Sequence, residues 1–272
     1  MKLGVIRFFE EHKTPEAWMA LVKAGGYAAV SAPIDETSSD EEIAAYREIA
    51  EANDIVIAEV GVWKNTCSDD EAVRKANIAT AKAKLRLADK LGARCAVNIV
   101  GERTVRGGAD DLTEDAFERA VTVVREIIDD VQPREACYCL ETMPYMLPDS
   151  VEMYVRMFRA IDREKFGVHC DPANFHSSPR NYHNSGKIIE HFFRELGPYI
   201  RSCHAKDILM DSALLVRFLE VMPGQGGLDY RTYIREINKL DPNMPLIIEH
   251  LRSDEDYRKA AAYLWDLERN AQ

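Results

Sequence analysis

The strongest constraint on the fold of this chain is a regular alternation of short apolar segments with amphipathic ones. The apolar segments are rich in β-forming residues and cover residues 2–9, 27–34, 54–63, 95–101, 137–143, 166–171, 200–207 and 245–251. The amphipathic segments show helical periodicity and cover residues 14–25, 39–53, 68–91, 113–131, 150–164, 185–197, 229–240 and 253–270. Such alternation is typical of a parallel sheet whose strands are joined by helices, and eight strand–helix units can close into a barrel.

Several helix ends are also marked in the sequence. Ser39 and Ser68 each open an S-x-x-E pattern, which is typical of a capped helix start. Gly92 follows a long amphipathic segment, where a C-terminal cap is expected. These signals agree with the boundaries that the periodicity predicts.

An open, doubly wound sheet is the alternative fold. A dinucleotide-binding sheet of that kind needs G-x-G-x-x-G after its first strand, and the segment FFEEHKT contains no glycine. No Pro/Ser/Gly-rich linker divides the 272 residues, and α/β barrels commonly form one domain of about 250 residues. We therefore predict an α/β fold, a single (β/α)8 TIM barrel that forms one domain over residues 1–272.

Charge and cysteine content narrow the class of protein. The formal net charge is −11, and such a surface repels phosphate backbones and anionic lipids. No stretch approaches the roughly 18 apolar residues of a membrane span, and the opening MKLGVIRFFEEHK does not have the pattern of a secretory signal. The six cysteines form no C-x-x-C pair. We expect a cytoplasmic protein with reduced thiols that binds neither nucleic acid nor membrane. Cys137 and Cys139 share a face of one predicted strand and are expected to be buried by packing.

Four potential metal ligands lie at the ends of consecutive predicted strands: Glu141, Asp171, His204 and Glu249. In a barrel of this type the carboxyl ends of the strands meet at one face, so these side chains are expected to converge. Three carboxylates packed together would repel one another, and a divalent cation would remove that conflict. Three carboxylates and one imidazole suit Mn²⁺, Zn²⁺, Co²⁺ or Mg²⁺. The alternative is that these are polar rim residues bonded to nearby loops.

In this order and at these strand ends, the four residues resemble the metal site of the xylose isomerase-like TIM barrel superfamily. This group contains sugar phosphate isomerases and epimerases as well as apurinic-site endonucleases of family 2. Residues 74–97, HAKD (204–207) and PGQGGLDY (223–230) carry the same resemblance, which covers essentially the whole chain. It implies one divalent metal ion per chain, with Glu141 and Glu249 acting both as ligands and as the catalytic acid/base pair.

The implied chemistry is proton abstraction next to a carbonyl group. A proton in that position is weakly acidic, and the resulting enediolate needs a cation beside its oxygens. One carboxylate can remove the proton, and a second on the opposite face can return it with inverted configuration. The sequence thus predicts a metal-dependent isomerase or epimerase of a sugar, a sugar phosphate or a cyclitol.

Four further residues are candidates for substrate binding. Strand alternation places His169 on the face of Asp171, where it is expected to be a hydrogen-bonded group below the metal or a further ligand. Lys206 shares a face with His204 and can reach either a substrate oxygen or a clustered carboxylate. The resemblance implies a substrate contact for Asn174. His176 is either an additional acid/base group or a solvated loop residue.

Other residues near the strand ends are candidates for the walls of the site. Glu59 and Trp63 close the third strand and can form the opposite wall, with packing in the core as the alternative for Trp63. Asp207 is expected to point away from the site and to anchor a loop. Residues 208–228 form a connection long enough to be a lid.

Other activities remain open at this point. A lyase that removes water or an aglycone from a keto sugar would use the same proton abstraction; HAKDI and EHL also resemble C-glycoside-cleaving lyases, which need a small accessory subunit. Met210 and Asp211 stand where some ketose 3-epimerases carry an arginine. An endonuclease resembling apurinic-site enzymes is disfavoured by the acidic charge, and a non-catalytic sugar-binding protein by the complete ligand set. The expected partner is a small carbohydrate, with a homo-oligomer or a small accessory subunit possible.

Overall fold

Eight parallel strands form a closed barrel in the computed structural model, which describes residues 1–6, 14–104 and 108–270. The barrel strands are β1 (Lys2–Val5), β2 (Ala29–Ser31), β3 (Val56–Gly61), β4 (Cys95–Asn98), β5 (Cys137–Leu140), β6 (Phe166–Cys170), β7 (Ile200–Ala205) and β10 (Pro245–Ile248). Each pairs with its neighbours in chain order, and β10 closes the barrel against β1. The predicted TIM barrel is confirmed. Residues 7–9, the end of the first predicted strand, lie outside the described residues.

Helices follow the barrel strands and cover the outside of the barrel. They are α1 (Pro15–Ala24), α2 (Asp40–Ala52), α3 (Glu71–Leu91), α4 (Glu114–Val131), α5 (Val151–Ile161), α6 (Pro179–Tyr182), α7 (Ser185–Leu196), α8 (Tyr230–Ile237) and α9 (Asp254–Asn270). Short 3₁₀ turns cover Ala109–Leu112, Pro172–Phe175 and Gly197–Tyr199. Within the described part of the chain, no helix is both long and apolar enough to cross a lipid bilayer.

The helix ends confirm two of the three boundary signals. Ser39 caps α2 by accepting a hydrogen bond from the amide of Glu42 at 3.2 Å. Gly92 ends α3 with φ of 70°, a left-handed conformation that glycine adopts without strain. The signal at Ser68 was wrong, because the carboxylate of Asp70 caps α3 instead and accepts from two backbone amides.

Side chains pack inside the barrel, and in barrels of this type the functional site lies at the carboxyl ends of the strands. Every residue of β4, β5, β6 and β10 is buried, as expected for strands covered on both faces. Cys95, Val97, Cys137 and Cys139 pack together inside the barrel. All six cysteines are buried free thiols, and the buried packing expected of Cys137 and Cys139 is confirmed.

The long connection after β7 contains a hairpin that the sequence did not predict. β8 (Asp207–Met210) pairs antiparallel with β9 (Phe218–Val221), so the strand predicted to end at residue 207 ends at Ala205 instead. Each oxygen of the buried Asp207 carboxylate accepts two backbone N–H groups: those of Ile208 and Leu228 on Oδ1, and those of Gly224 and Gly226 on Oδ2. Asp207 therefore anchors this loop, as predicted.

Replacing Asp207 with asparagine is expected to lower the free energy of unfolding by about 1–3 kcal/mol. An amide keeps one acceptor oxygen, and its NH2 group would face two backbone N–H donors that are now accepted by the other carboxylate oxygen. Urea denaturation of the two proteins measures the difference. The matched control is Asp266→Asn on the exposed face of α9, where a change within about 0.5 kcal/mol is expected. Equal stability of the two variants would contradict the anchoring role.

Candidate metal centre

The four predicted ligands converge at the carboxyl ends of four adjacent strands. Glu141, Asp171 and Glu249 directly follow β5, β6 and β10, and His204 is the penultimate residue of β7. These strands are neighbours in the barrel. All four side chains are buried, and one potential ligand atom from each lies within 4.8 Å of the others. The arrangement is compact enough for one cation to contact all four residues.

The Nδ1 atom of His204 faces two of the carboxylates. Its Nδ1 lies 3.0 Å from Oε1 of Glu249 and 3.5 Å from Oε1 of Glu141. Neither Nδ1 nor Oε1 of Glu249 has a hydrogen-bond partner of acceptable geometry among the described residues. Oε1 of Glu249 has an ionic contact with Lys206 instead. Buried polar atoms are normally hydrogen-bonded, so an Nδ1 without such a bond that faces two carboxylates fits a cation at this point.

Lys206 adds a positive charge to the cluster. Its Nζ lies 2.6 Å from Oδ2 of Asp171, 2.8 Å from Oε1 of Glu249 and 3.6 Å from Oε1 of Glu141. Of the two roles predicted for Lys206, the structure shows pairing with the clustered carboxylates. A role in substrate binding remains a prediction.

The electrostatics of the cluster differ from the simple repulsion expected of three carboxylates. Burial, together with the negative charges of Glu141 and Glu249, raises the pKa of Asp171. Burial alone would also raise the pKa of Glu141, but the charges of Lys206 and His204 lower it to about 2. Burial would lower the pKa of His204, yet the carboxylates of Glu249 and Glu59 raise it. Lys206 and His204 therefore offset part of the negative charge of the three carboxylates. From the sequence, a metal ion alone was expected to do so.

Asn174 orients two of the carboxylates. Its Nδ2 donates to Oδ2 of Asp171 at 3.0 Å and to the carbonyl of Thr142 at 2.8 Å, and it lies 3.3 Å from Oε1 of Glu141. Oδ1 of Asp171 accepts from the amide of Ala173 at 3.1 Å. The stretch DPAN therefore supplies both a carboxylate and the groups that fix its direction. Substrate contact by Asn174 remains a prediction.

His169 lies deep in the barrel beside His204. The side chain is fully buried, the two imidazole centroids are 4.1 Å apart, and burial lowers its pKa to about 4. The expected hydrogen bond is absent among the described residues, because neither ring nitrogen has a partner there. Nδ1 is 3.7 Å from Oε2 of Glu59, whose oxygens bond to His204 and Ser202 instead.

His176 is buried, so the expectation of a solvated loop residue was wrong. His176 directly follows the 3₁₀ turn Pro172–Phe175, and its Nδ1 lies 2.8 Å from the carbonyl of Pro172. Its ring also packs edge-on near Tyr182. His176 does not belong to the group of four converging ligands.

The third strand forms the opposite side of the centre. Trp63 is 38 % exposed, with its ring centroid 6.4 Å from that of His204, so the alternative of core packing was wrong. A cavity of about 170 Å³ adjoins it, lined by residues that include Ser31, Ile34 and Lys84. Glu59 is fully buried and reaches Nε2 of His204 at 2.9 Å. The sequence did not predict this contact; its only signal was an acidic residue inside the apolar segment VIAEVG.

Comparison with known proteins agrees with the fold. The profile of one family, described as xylose isomerase-like TIM barrel, matches residues 19–267. A search of curated proteins gives no significant match to this sequence.

Solved structures of three other proteins share the fold. D-psicose 3-epimerase from Clostridium cellulolyticum H10, solved with D-tagatose, has 16% identity and a TM-score of 0.72, covering 100% of this chain and 99% of that one. A xylose isomerase-like TIM barrel protein from Mycobacterium smegmatis, in complex with magnesium, has 18% identity and a TM-score of 0.68, covering 94% and 90%. Endonuclease IV from Thermus thermophilus has 14% identity and a TM-score of 0.75, covering 99% and 100%.

Proposed function

Because the chain belongs to the xylose isomerase-like TIM barrel family, we propose that it is a divalent-metal-dependent isomerase or epimerase of a sugar, a sugar phosphate or a cyclitol. The observation that carries the proposal is the convergence of four buried ligands at the carboxyl ends of adjacent barrel strands. In barrels of this type, that face is where the chemistry occurs. The substrate we propose is therefore a small carbohydrate that enters at this end.

Glu141, Asp171, His204 and Glu249 would hold one divalent ion, Mn²⁺, Zn²⁺, Co²⁺ or Mg²⁺. Oxygen ligands with a single imidazole suit these ions, and all six thiols are buried elsewhere in the chain. When bound, the ion would supply positive charge beside a substrate oxygen that becomes negative as a neighbouring proton leaves.

Glu249 and Glu141 are the proposed acid/base pair. Burial would raise the pKa of Glu249, but the positive charges of His204 and Lys206 lower it, as they do for Glu141. Both groups are therefore carboxylates at neutral pH, which is the form that a general base needs. Burial of both side chains keeps bulk water away from the proton that is moved.

The charge of the chain favours a carbohydrate substrate over a nucleic acid. The similar fold of D-psicose 3-epimerase and that of endonuclease IV are equally compatible with the barrel. The net charge of −11 separates them, because a surface that binds a phosphate backbone is expected to be basic. A lyase acting on a keto sugar remains the second candidate, since it would begin with the same proton abstraction.

Solvent exchange tests the proposal even while the product is unidentified. We expect that the protein, incubated in D₂O with Mg²⁺ or Zn²⁺, exchanges a C–H proton next to the carbonyl of its substrate, which NMR detects as loss of that signal. The panel consists of ketoses, their phosphates, inososes and 3-keto-glycosides. An isomerase or epimerase leaves all substituents in place, whereas a lyase releases water or an aglycone. No metal-dependent exchange in any compound of the panel would contradict the proposed reaction.

A further inference from the structure

We infer that Glu59 is a positioning residue that holds the imidazole of His204 so that Nδ1 faces the proposed cation. The inference rests on the proposed function and deepens it, because it assigns a role to a residue on the far side of the barrel. Glu59 belongs to β3 and His204 to β7, which are not neighbours in the sheet. Their contact therefore crosses the barrel interior.

The hydrogen bonds of Glu59 fix both ends of its carboxylate. Oε1 lies 2.9 Å from Nε2 of His204, and Oε2 accepts from the hydroxyl of Ser202 at 2.8 Å. Ser202 and His204 are two residues apart on β7, so their side chains share the interior face. Ser31 on β2 is paired in register with Glu59, and its hydroxyl makes a longer contact of 3.5 Å to Oε1 of Glu59.

This geometry divides the two nitrogens of His204 between two tasks. Nε2 is committed to Glu59, which leaves Nδ1 directed at Glu141 and Glu249. Imidazoles that bind metals usually donate their second N–H to a carboxylate or carbonyl, which fixes the tautomer and the ring orientation. Glu59 is in the position to accept that bond.

The complete burial of the Glu59 carboxylate supports this role. Glu59, His204 and Ser202 have no exposed surface, and the residues on either side of Glu59, Ala58 and Val60, are buried and apolar. An unpaired charge at such a depth is strongly unfavourable. If the side chain of Glu59 only filled space, an apolar side chain would do so at a lower free energy of desolvation.

A second cation between Glu59, His169 and His204 is the competing explanation, because their potential ligand atoms also lie within 4.8 Å of one another. The hydrogen bond from Nε2 to Oε1 already uses one atom of each of two of these residues. The other ring nitrogen of His204, Nδ1, faces Glu141 and Glu249 rather than this group. Positioning therefore fits the geometry better, and metal stoichiometry tests it.

The experiment measures Zn²⁺ and Co²⁺ affinity of the full-length protein and of Glu59→Gln by competition with a chelating dye. The amide can still accept from Nε2–H, so the fold is expected to persist, but a neutral acceptor holds the ring less firmly. We expect affinity about 10–100-fold lower than that of the wild type. The matched control is Glu236→Gln on α8, a buried glutamate outside the centre, which should leave affinity unchanged.

A spectroscopic readout separates positioning from loss of packing. In ¹⁵N-histidine-labelled, Zn²⁺-loaded wild type, His204 should show a protonated Nε2 and a metal-bound Nδ1, with the Nε2 proton shifted downfield; Glu59→Gln should move that proton upfield. If Glu59→Gln does not fold, Ser202→Ala should give a smaller change in the same direction. Metal on Nε2, two ions per chain, or unchanged affinity in folded Glu59→Gln would overturn the inference and leave the proposed function standing. No metal binding by the wild type would overturn both.

Discussion

Replacing Glu249 with glutamine is expected to slow substrate proton exchange in D₂O by about 10²–10⁴-fold, the range that general base catalysis typically contributes. Glutamine is close to glutamate in size, but its amide is a far weaker base. The reason to expect the effect at this residue is that Glu249 is a buried carboxylate, beside His204 and Lys206, whose charges keep its pKa low. The loss of C–H signal over time, followed by NMR, gives the rate.

Metal binding by Glu249→Gln must be measured alongside its exchange rate, because Glu249 is also a proposed ligand. The rates are compared at a cation concentration that saturates both proteins. Glu141→Gln is the partner variant on the opposite side of the pair, and Glu236→Gln provides the same chemical change away from the centre. Normal exchange in both Glu249→Gln and Glu141→Gln would rule out the two-glutamate mechanism, and Lys206 or His176 would become the bases to examine.

Replacing His204 with alanine is expected to weaken cation binding by more than the roughly 10–100-fold that loss of a supporting hydrogen-bond partner costs. His204 supplies the imidazole among the four converging ligand groups, whereas His176 bonds to a backbone carbonyl outside that group. A ligand that binds only the folded state stabilises it by mass action, so the increase in Tm on adding Zn²⁺ or Mn²⁺ reports affinity.

His176→Ala is the matched control for this measurement, since both imidazoles are buried and both variants leave a cavity. Each variant is therefore compared with and without the cation, and the metal-dependent increase in Tm is the quantity that matters. We expect that increase to persist in His176→Ala and to be nearly lost in His204→Ala. The reverse result would contradict the assignment of the imidazole ligand to β7.

The barrel could be predicted from sequence because its signals are local. Helical periodicity and apolar runs are properties of neighbouring residues, and burial on both faces makes the barrel strands continuously apolar. The β8–β9 hairpin was not predicted, because it lacks such local signals. Seven of its eight strand residues are partly or fully exposed, and the contacts that hold it involve Asp207 and amides from residue 224 onward.

The site was predictable to the extent that strand ends converge in any barrel of this type. This rule placed Glu141, Asp171, His204 and Glu249 together from their positions along the chain alone. It could not reveal which groups face one another across the interior. The contact of Glu59 with His204 joins residues 145 positions apart, and no local pattern encodes it.

The burial of His176 and the exposure of Trp63 also depend on backbone geometry that composition does not record. His176 follows a 3₁₀ turn and is buried. Trp63 has φ of 50°, a conformation uncommon for a bulky residue, two residues after the end of β3. Whether a loop residue such as His176 or Trp63 is buried or exposed can be assigned only when the path of the backbone is known.

The exposed indole of Trp63 gives the molecule a built-in optical probe of its own site. The chain has three tryptophans. Trp18 is fully buried and Trp265 stacks on Tyr27, while Trp63 alone of the three has its ring close to His204. Changes in tryptophan emission during a titration with a cation or a sugar can therefore be traced to one wall of the centre, by comparison with Trp63→Phe, without attaching a dye or knowing the reaction product.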